Sequence, residues 1–139
     1  MSLYKTFTTD KDLEKEGILL QYGFNSKKLP ITIRVARAGG ANTAYTKSLE
    51  RRTKPFRRQI QTETMDDKQA KELMMDVYLD SVILGWENME DAKLNDLPFS
   101  RENALKLFTD LPDLFTDVQE QAQKSALYRK EILDADSKN

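Results

Sequence analysis

The sequence predicts a mainly α-helical α+β domain, in which an N-terminal β-hairpin precedes a bundle of four to five helices. Two short segments at 17–24 and 31–37 are rich in β-forming residues. A long segment at 66–86 carries an apolar stripe with helical spacing, and two proline-marked helix starts follow it. Because 139 residues is the size of one domain, we assign 17–134 to a single globular domain.

The two ends of the chain are predicted to lie outside this domain. Residues 1–16 are polar and only weakly periodic, so we interpret them as a loose N-terminal arm with one helical turn at Asp10 to Lys15. The chain becomes polar again after Asp134, and residues 135–139 are predicted to be a frayed C-terminal tail.

The hairpin is predicted from a clean alternation in its second strand. Ile31, Ile33 and Val35 face one way, and Thr32 and Arg34 face the other. This pattern is typical of a strand with one buried face. A two-stranded hairpin is only marginally stable alone, so we expect it to pack on helices or to pair with another subunit.

Two helices are predicted in the middle of the chain. Segment 42–53 forms the first, with Asn42 or Thr43 as its N-cap. Pro55 ends it, because a proline inside a helix removes a hydrogen-bond donor and costs about 3 kcal/mol. The central helix is predicted over 66–86, since its second half is apolar on almost every side.

Two further helices are predicted near the C-terminus. Ser100 is a suitable N-cap for a helix that runs to Asp110. Asp110 then caps the last helix, where Pro112 is tolerated in the first turn. The apolar stripe of this last helix is Leu111, Phe115, Val118, Ala122 and Ala126, continuing toward Ile132 and Leu133.

These helices are predicted to share one core with large aromatic anchors. Trp86 stands at the end of the predicted central helix and can bury about 200 Å². A role as a core anchor is favoured over one in stacking on a ligand. The predicted structural core residues are Trp86, Phe99, Phe108, Leu111 and Phe115.

The sequence offers no recognisable catalytic or metal-binding pattern. It contains no cysteine and no histidine, which removes thiol nucleophiles, the commonest general base and the commonest transition-metal ligand. The segment after Asp10 fails the EF-hand pattern, and the segment after Gly40 fails the P-loop pattern. We therefore predict a non-enzymatic protein with no cofactor, no metal and no catalytic residue.

Basic side chains cluster at 47–58, where six lysines and arginines accompany one acid, Glu50. One interpretation is a contact for an acidic partner or for nucleic acid, and the other is an ordinary solvated helix face. Under the first interpretation we predict that Arg51, Arg57 and Arg58 contribute to partner or subunit contact through charge-assisted hydrogen bonds.

Several segments together resemble the tail assembly chaperones of long-tailed, siphovirus-like bacteriophages. The resemblance spans about residues 31–139 and rests on the order and spacing of its elements. These elements are Ile33-Arg34-Val35-Ala36-Arg37-Ala38-Gly39-Gly40-Ala41-Asn42, Tyr45, Leu49, Pro55-Phe56-Arg57-Arg58, Gly85-Trp86, Leu97-Pro98-Phe99-Ser100-Arg101-Glu102-Asn103, Leu111-Pro112-Asp113-Leu114 and Lys138-Asn139.

The resemblance implies a non-enzymatic chaperone in the host cytoplasm. Such a protein binds the tape measure protein, keeps it soluble and promotes assembly of the tail tube protein around it. We also expect a homo-oligomer, no membrane contact because no segment is long and apolar enough to span one, and protein partners in preference to nucleic acid. Two alternatives stay open: a structural minor tail or connector protein of a virion, and a nucleic-acid-binding regulator that uses the basic cluster.

Overall fold

The computed structural model describes residues 2–129, and its α+β architecture confirms the predicted fold class. A small antiparallel sheet near the N-terminus is followed by helices. The helices are α1 (Leu3–Phe7), α2 (Lys11–Glu16), α3 (Thr43–Thr53), α4 (Arg57–Gln61), α5 (Asp67–Ser81), α6 (Arg101–Asp110) and α7 (Pro112–Ala122). The strands are β1 (Ile18–Phe24), β2 (Pro30–Val35) and β3 (Ile83–Glu87), and 3-10 turns occupy Lys54–Phe56 and Ser125–Tyr128.

The sheet has three strands in the order β1-β2-β3, so the predicted hairpin gains a third member. Ile33 in the central strand is paired with Leu20 on one side and with Trp86 on the other. The prediction of one helix over 66–86 is therefore wrong at its end, because α5 stops at Ser81. An apolar run rich in β-formers fits a buried helix or a strand equally well, and the open edge of β2 decides for the strand.

The N-terminal segment is more ordered than a loose arm from Thr9 onward. Glu14 in α2 is 2% exposed. Its carboxylate accepts hydrogen bonds from the Thr9 hydroxyl, from Arg37 Nη1 at 3.0 Å and from the Ala41 N–H at 2.9 Å. Gly40 is required beside it, because a Cβ there would lie 1.8 Å from a Glu14 oxygen. The segment is thus attached to the loop that precedes α3.

The core lies between one face of the sheet and helices α5, α6 and α7. An aromatic row runs through it, with ring centroids between 5.0 and 6.4 Å apart along the row. The row is Tyr45, Tyr78, Phe115, Phe108, Trp86 and Phe99. The structure therefore brings four of the five predicted core residues into contact, with Phe108 and Phe115 buried and the other two half-buried.

Leu111 was also predicted to lie in the core, and this prediction is wrong. It is 50% exposed, because it occupies the junction between α6 and α7, where the chain changes direction. The predicted capping role of Asp110 is also wrong, since Asp110 is the last residue of α6 and Leu111 holds the N-cap position of α7 without a side-chain cap.

The last helix is shorter than its apolar stripe predicts. It ends at Ala122, and Ala126 is an exposed residue of a 3-10 turn. The predicted continuation of the stripe to Ile132 and Leu133 and the predicted tail at 135–139 lie outside the described residues.

Candidate protein-binding groove

The basic side chains at the two ends of the predicted basic segment make different contacts in the structure. In α3, Arg52 donates through Nε and Nη2 to both carboxylate oxygens of Asp80. Arg51 Nη2 and Arg101 Nη1 each lie 3.0 Å from the same carboxylate. We call Ser48, Arg51, Arg52, Asp76, Asp80 and Arg101 the Asp80 cluster.

The Asp80 cluster is electrostatically satisfied. The hydrogen bond from Arg52, assisted by those from Ser48 and Arg101, holds the pKa of Asp80 well below its usual value despite the opposing effect of burial. Bidentate arginine contacts of this kind fix geometry as well as charge. Arg51 is therefore already paired within the chain.

Arg57 and Arg58 differ from Arg51. Both are exposed in α4, and neither forms an ion pair with any other residue between 2 and 129. Of the three predicted contact arginines, these two keep their full charge available at the surface.

A second region carries exposed apolar surface instead. A groove of about 620 Å³ opens where the end of the hairpin, the loop after β3 and the α6–α7 junction meet. Phe24 is 66% exposed, Leu94 is 63% exposed and Leu111 is 50% exposed on its walls. Its deeper apolar lining is Tyr22, Ile31, Met89, Leu107 and Leu114.

The groove continues past α6 into a second recess of about 350 Å³. Glu90, Asp91, Leu107 and Leu111 line both cavities. Together they form one continuous surface with clustered exposed apolar side chains, and such a patch is characteristic of a binding site. We use the term groove for the two joined cavities.

The loop that forms one wall is held in a fixed shape. The Trp86 indole N–H donates to the Leu97 carbonyl at 2.7 Å. The Asp91 carboxylate accepts from the backbone N–H groups of Lys93 and Asn95, both at 2.9 Å. This loop presents Leu94 outward in a left-handed backbone conformation, with φ of 65°.

Acidic side chains surround the groove. Glu90 accepts from the Ser26 N–H at 2.8 Å and from the Ser26 hydroxyl, and these bonds hold its pKa below the usual value. Asp91 and Asp110 also line the groove, and Lys106 is the basic residue of this lining. Within the described chain, none of the three acids forms an ion pair, so the rim favours a basic ligand.

Asp110 lies between two helix ends of opposite polarity. It is the last residue of α6, and the last turn of that helix carries no basic side chain. A negative charge at a helix C-terminus opposes the helix dipole by about 0.3–1 kcal/mol, and one near a helix N-terminus is favoured by a similar amount. Because Asp110 also directly precedes the N-cap of α7, these two effects oppose each other.

Sequence reasoning missed the groove because its parts come from three separate segments. Phe24 is the last residue of β1 and Leu94 stands in a turn, and apolar residues at or beside turns were the available signal. Leu111 was assigned to the core for its helical spacing. Only the folded chain places the three side chains around one cavity.

In residues 2–129, no three or more acidic side chains are arranged to hold a metal ion. Among the helices of the same range, none has the length and apolar character needed to cross a membrane.

Comparison with known proteins identifies a family. The family model described as YdaY prophage protein matches residues 40–139, which is more than two thirds of the chain. The matched segment contains the Asp80 cluster and the α6–α7 side of the groove, whereas Tyr22, Phe24 and Ile31 precede it. No curated protein and no solved structure is significantly similar to the chain.

Proposed function

The chain belongs to the YdaY prophage protein family and is phage-derived, and on this premise we propose that it is a tail assembly chaperone. In this proposal it binds the tape measure protein in the host cytoplasm, keeps that protein soluble and promotes assembly of the tail tube protein around it. It does so without catalysis and without a cofactor.

The observation that supports this function best is the groove. A tape measure protein must have its apolar helices covered until the tube encloses them. An apolar groove can accept one face of an amphipathic helix. The apolar residues that anchor such a helix recur at positions i, i+3, i+4 and i+7. Phe24, Leu94 and Leu111 are the exposed side chains that would meet such anchors.

The acidic rim supports a client of particular charge. Glu90, Asp91 and Asp110 favour a helix whose apolar face is flanked by lysine or arginine. Their charges would also steer such a helix toward the groove and would disfavour acidic segments.

The nucleic-acid alternative has less support. Arg51 and Arg52 direct their charge toward Asp76 and Asp80, so about half of the arginine charge in the basic segment is neutralised within the chain. A virion component remains the other alternative, and it differs from the chaperone in its final location.

Co-expression with the tape measure protein of the same prophage tests the proposal. We expect the wild-type chain to keep the tape measure protein in the soluble fraction, and Leu94→Glu to lose this effect. Leu19→Glu is the matched control, since Leu19 is 55% exposed on β1 and does not line the groove.

Equal solubilisation by the two variants would contradict a role for the groove. Failure of the wild-type chain to solubilise the tape measure protein would contradict the function itself. Recovery of the chain in purified, washed virions would instead favour a structural tail component.

A further inference from the structure

Helix α4 is exposed and contributes little to the core of the domain. Neither α4 nor the 3-10 turn before it contains a buried residue. Ile60 is 44% exposed, and Arg57 and Arg58, three and two residues before it, are exposed as well. The helix therefore presents an apolar side chain accompanied by two cations that are not used within residues 2–129.

The composition of the groove is complementary to that of α4. Its walls carry apolar side chains, and the acids Glu90, Asp91 and Asp110 form no ion pair in the described part of the chain. An apolar anchor with adjacent arginines is the ligand that such a surface favours, because burial of the anchor and pairing of the charges occur together.

The two surfaces belong to the same chain and share no residue. We infer that α4 of one copy docks in the groove of a second copy, with Ile60 against the apolar walls and Arg57 and Arg58 on the acidic rim. Each copy has one α4 and one groove, so the contact can either repeat head to tail or be made twice in a symmetric dimer.

The inferred interface has two consequences. It is small and charged, so it is weak and weakens further as salt screens the ion pairs. It also occupies the surface assigned above to the tape measure protein, so self-association and client binding exclude each other. The self-association itself does not depend on the identity of the client.

Charge variants test the interface by sedimentation velocity at low ionic strength. We expect the wild-type chain to self-associate, and both Arg57→Glu/Arg58→Glu and Leu94→Lys/Asp110→Lys to sediment as monomers. Lys11→Glu/Lys15→Glu is the matched control, because it reverses two exposed charges of α2 outside both surfaces and should associate as the wild type does.

Mixing the two monomeric variants tests whether α4 pairs with the groove. Each variant retains the surface that the other lacks, so an equimolar mixture should form a dimer. A monomeric wild-type chain, continued self-association of either variant, or a mixture that stays monomeric would each overturn the inference.

Cysteine pairing gives a second measurement that does not depend on charge. The chain has no cysteine, so Ile60→Cys and Leu94→Cys introduce single thiols. We expect the two variants to form a disulfide-linked heterodimer at least several-fold faster than Ile60→Cys mixed with Leu19→Cys. Equal rates would overturn the inference. Because the tape measure protein is absent from these experiments, their outcome is independent of the chaperone proposal.

Discussion

The Asp80 cluster and the groove both contain acidic side chains, but only those of the Asp80 cluster are paired with arginines. Around Asp80, three arginines and Ser48 from α3 and α6 converge on one carboxylate. Around the groove, Glu90 and Asp91 accept backbone hydrogen bonds but form no ion pair within residues 2–129. Charge that is paired internally fixes helices together, whereas charge left at an apolar surface is available to a ligand.

The basic segment shows the same division over a few residues. Arg51 and Arg52 are on α3, which packs along α5, so they reach Asp76 and Asp80. The turn at Lys54–Phe56 then redirects the chain, and Arg57 and Arg58 are left at the surface. The first arginines of this basic segment thus stabilise the packing of α3 on α5, and the last two place positive charge at the surface.

Trp86→Ala should have the largest effect, because Trp86 supports both regions. Its ring lies in the aromatic row, and its N–H holds Leu97 at the groove wall. We expect a loss of about 3 kcal/mol in the free energy of unfolding, the lower end for a tryptophan since this one is half-buried. Chemical denaturation measures it. Leu84→Ala, at an exposed position of the same strand, should cost under about 1 kcal/mol, and an equal loss in both variants would refute the role of Trp86.

Asp80→Ala should destabilise the chain by about 2–3 kcal/mol, because it leaves Arg52, Arg101 and Ser48 without their acceptor. The arginines are partly exposed, so water recovers some of the loss. Asp110→Ala is the control from the groove and should cost less than about 0.5 kcal/mol. A similar melting temperature for the two variants would contradict the claim that Asp80 contributes more to stability than Asp110.

Acid should reduce the stability that the paired carboxylates of Glu14 and Asp80 contribute. Glu14 and Asp80 have folded-state pKa values below their ordinary values of 4.5 and 3.8, through hydrogen bonds that outweigh burial for Glu14 and chiefly through Arg52 for Asp80. Their stabilisation is complete above about pH 5 and is lost as the pH falls through 4.5 and below, by about 1–2 kcal/mol. Unfolding free energies measured between pH 7 and 3 should fall less steeply for Asp80→Asn. Parallel curves would argue against the pairing.

Asp110→Asn should have the smallest effect on stability. Removing this charge relieves its repulsion with the C-terminus of α6 and also loses its attraction to the N-terminus of α7, so the free energy of unfolding should change by less than about 0.5 kcal/mol. We expect the same variant to solubilise the tape measure protein less well, because the rim loses a charge. A change in the free energy of unfolding above about 1 kcal/mol would contradict this balance, and unchanged client binding would remove Asp110 from the proposed site.

Local signals in the sequence were sufficient for much of the fold. The alternation in 31–35 predicted β2 and its buried face. Ser100 caps α6 as predicted, accepting from the Asn103 N–H at 3.0 Å. Such signals succeed because alternation and capping act over a few residues and depend little on distant parts of the chain.

Other features were decided only by tertiary structure. The run at 82–86 becomes a strand because β2 offers an open edge, and Leu111 lies at a surface because two helices meet there at an angle. Glu14 is buried because Arg37 and Ala41, more than twenty residues away, supply its hydrogen bonds. The groove joins three segments that are distant in sequence. The sequence determines which stretches of this chain bury a face, and long-range packing determines which apolar and charged side chains remain for a partner.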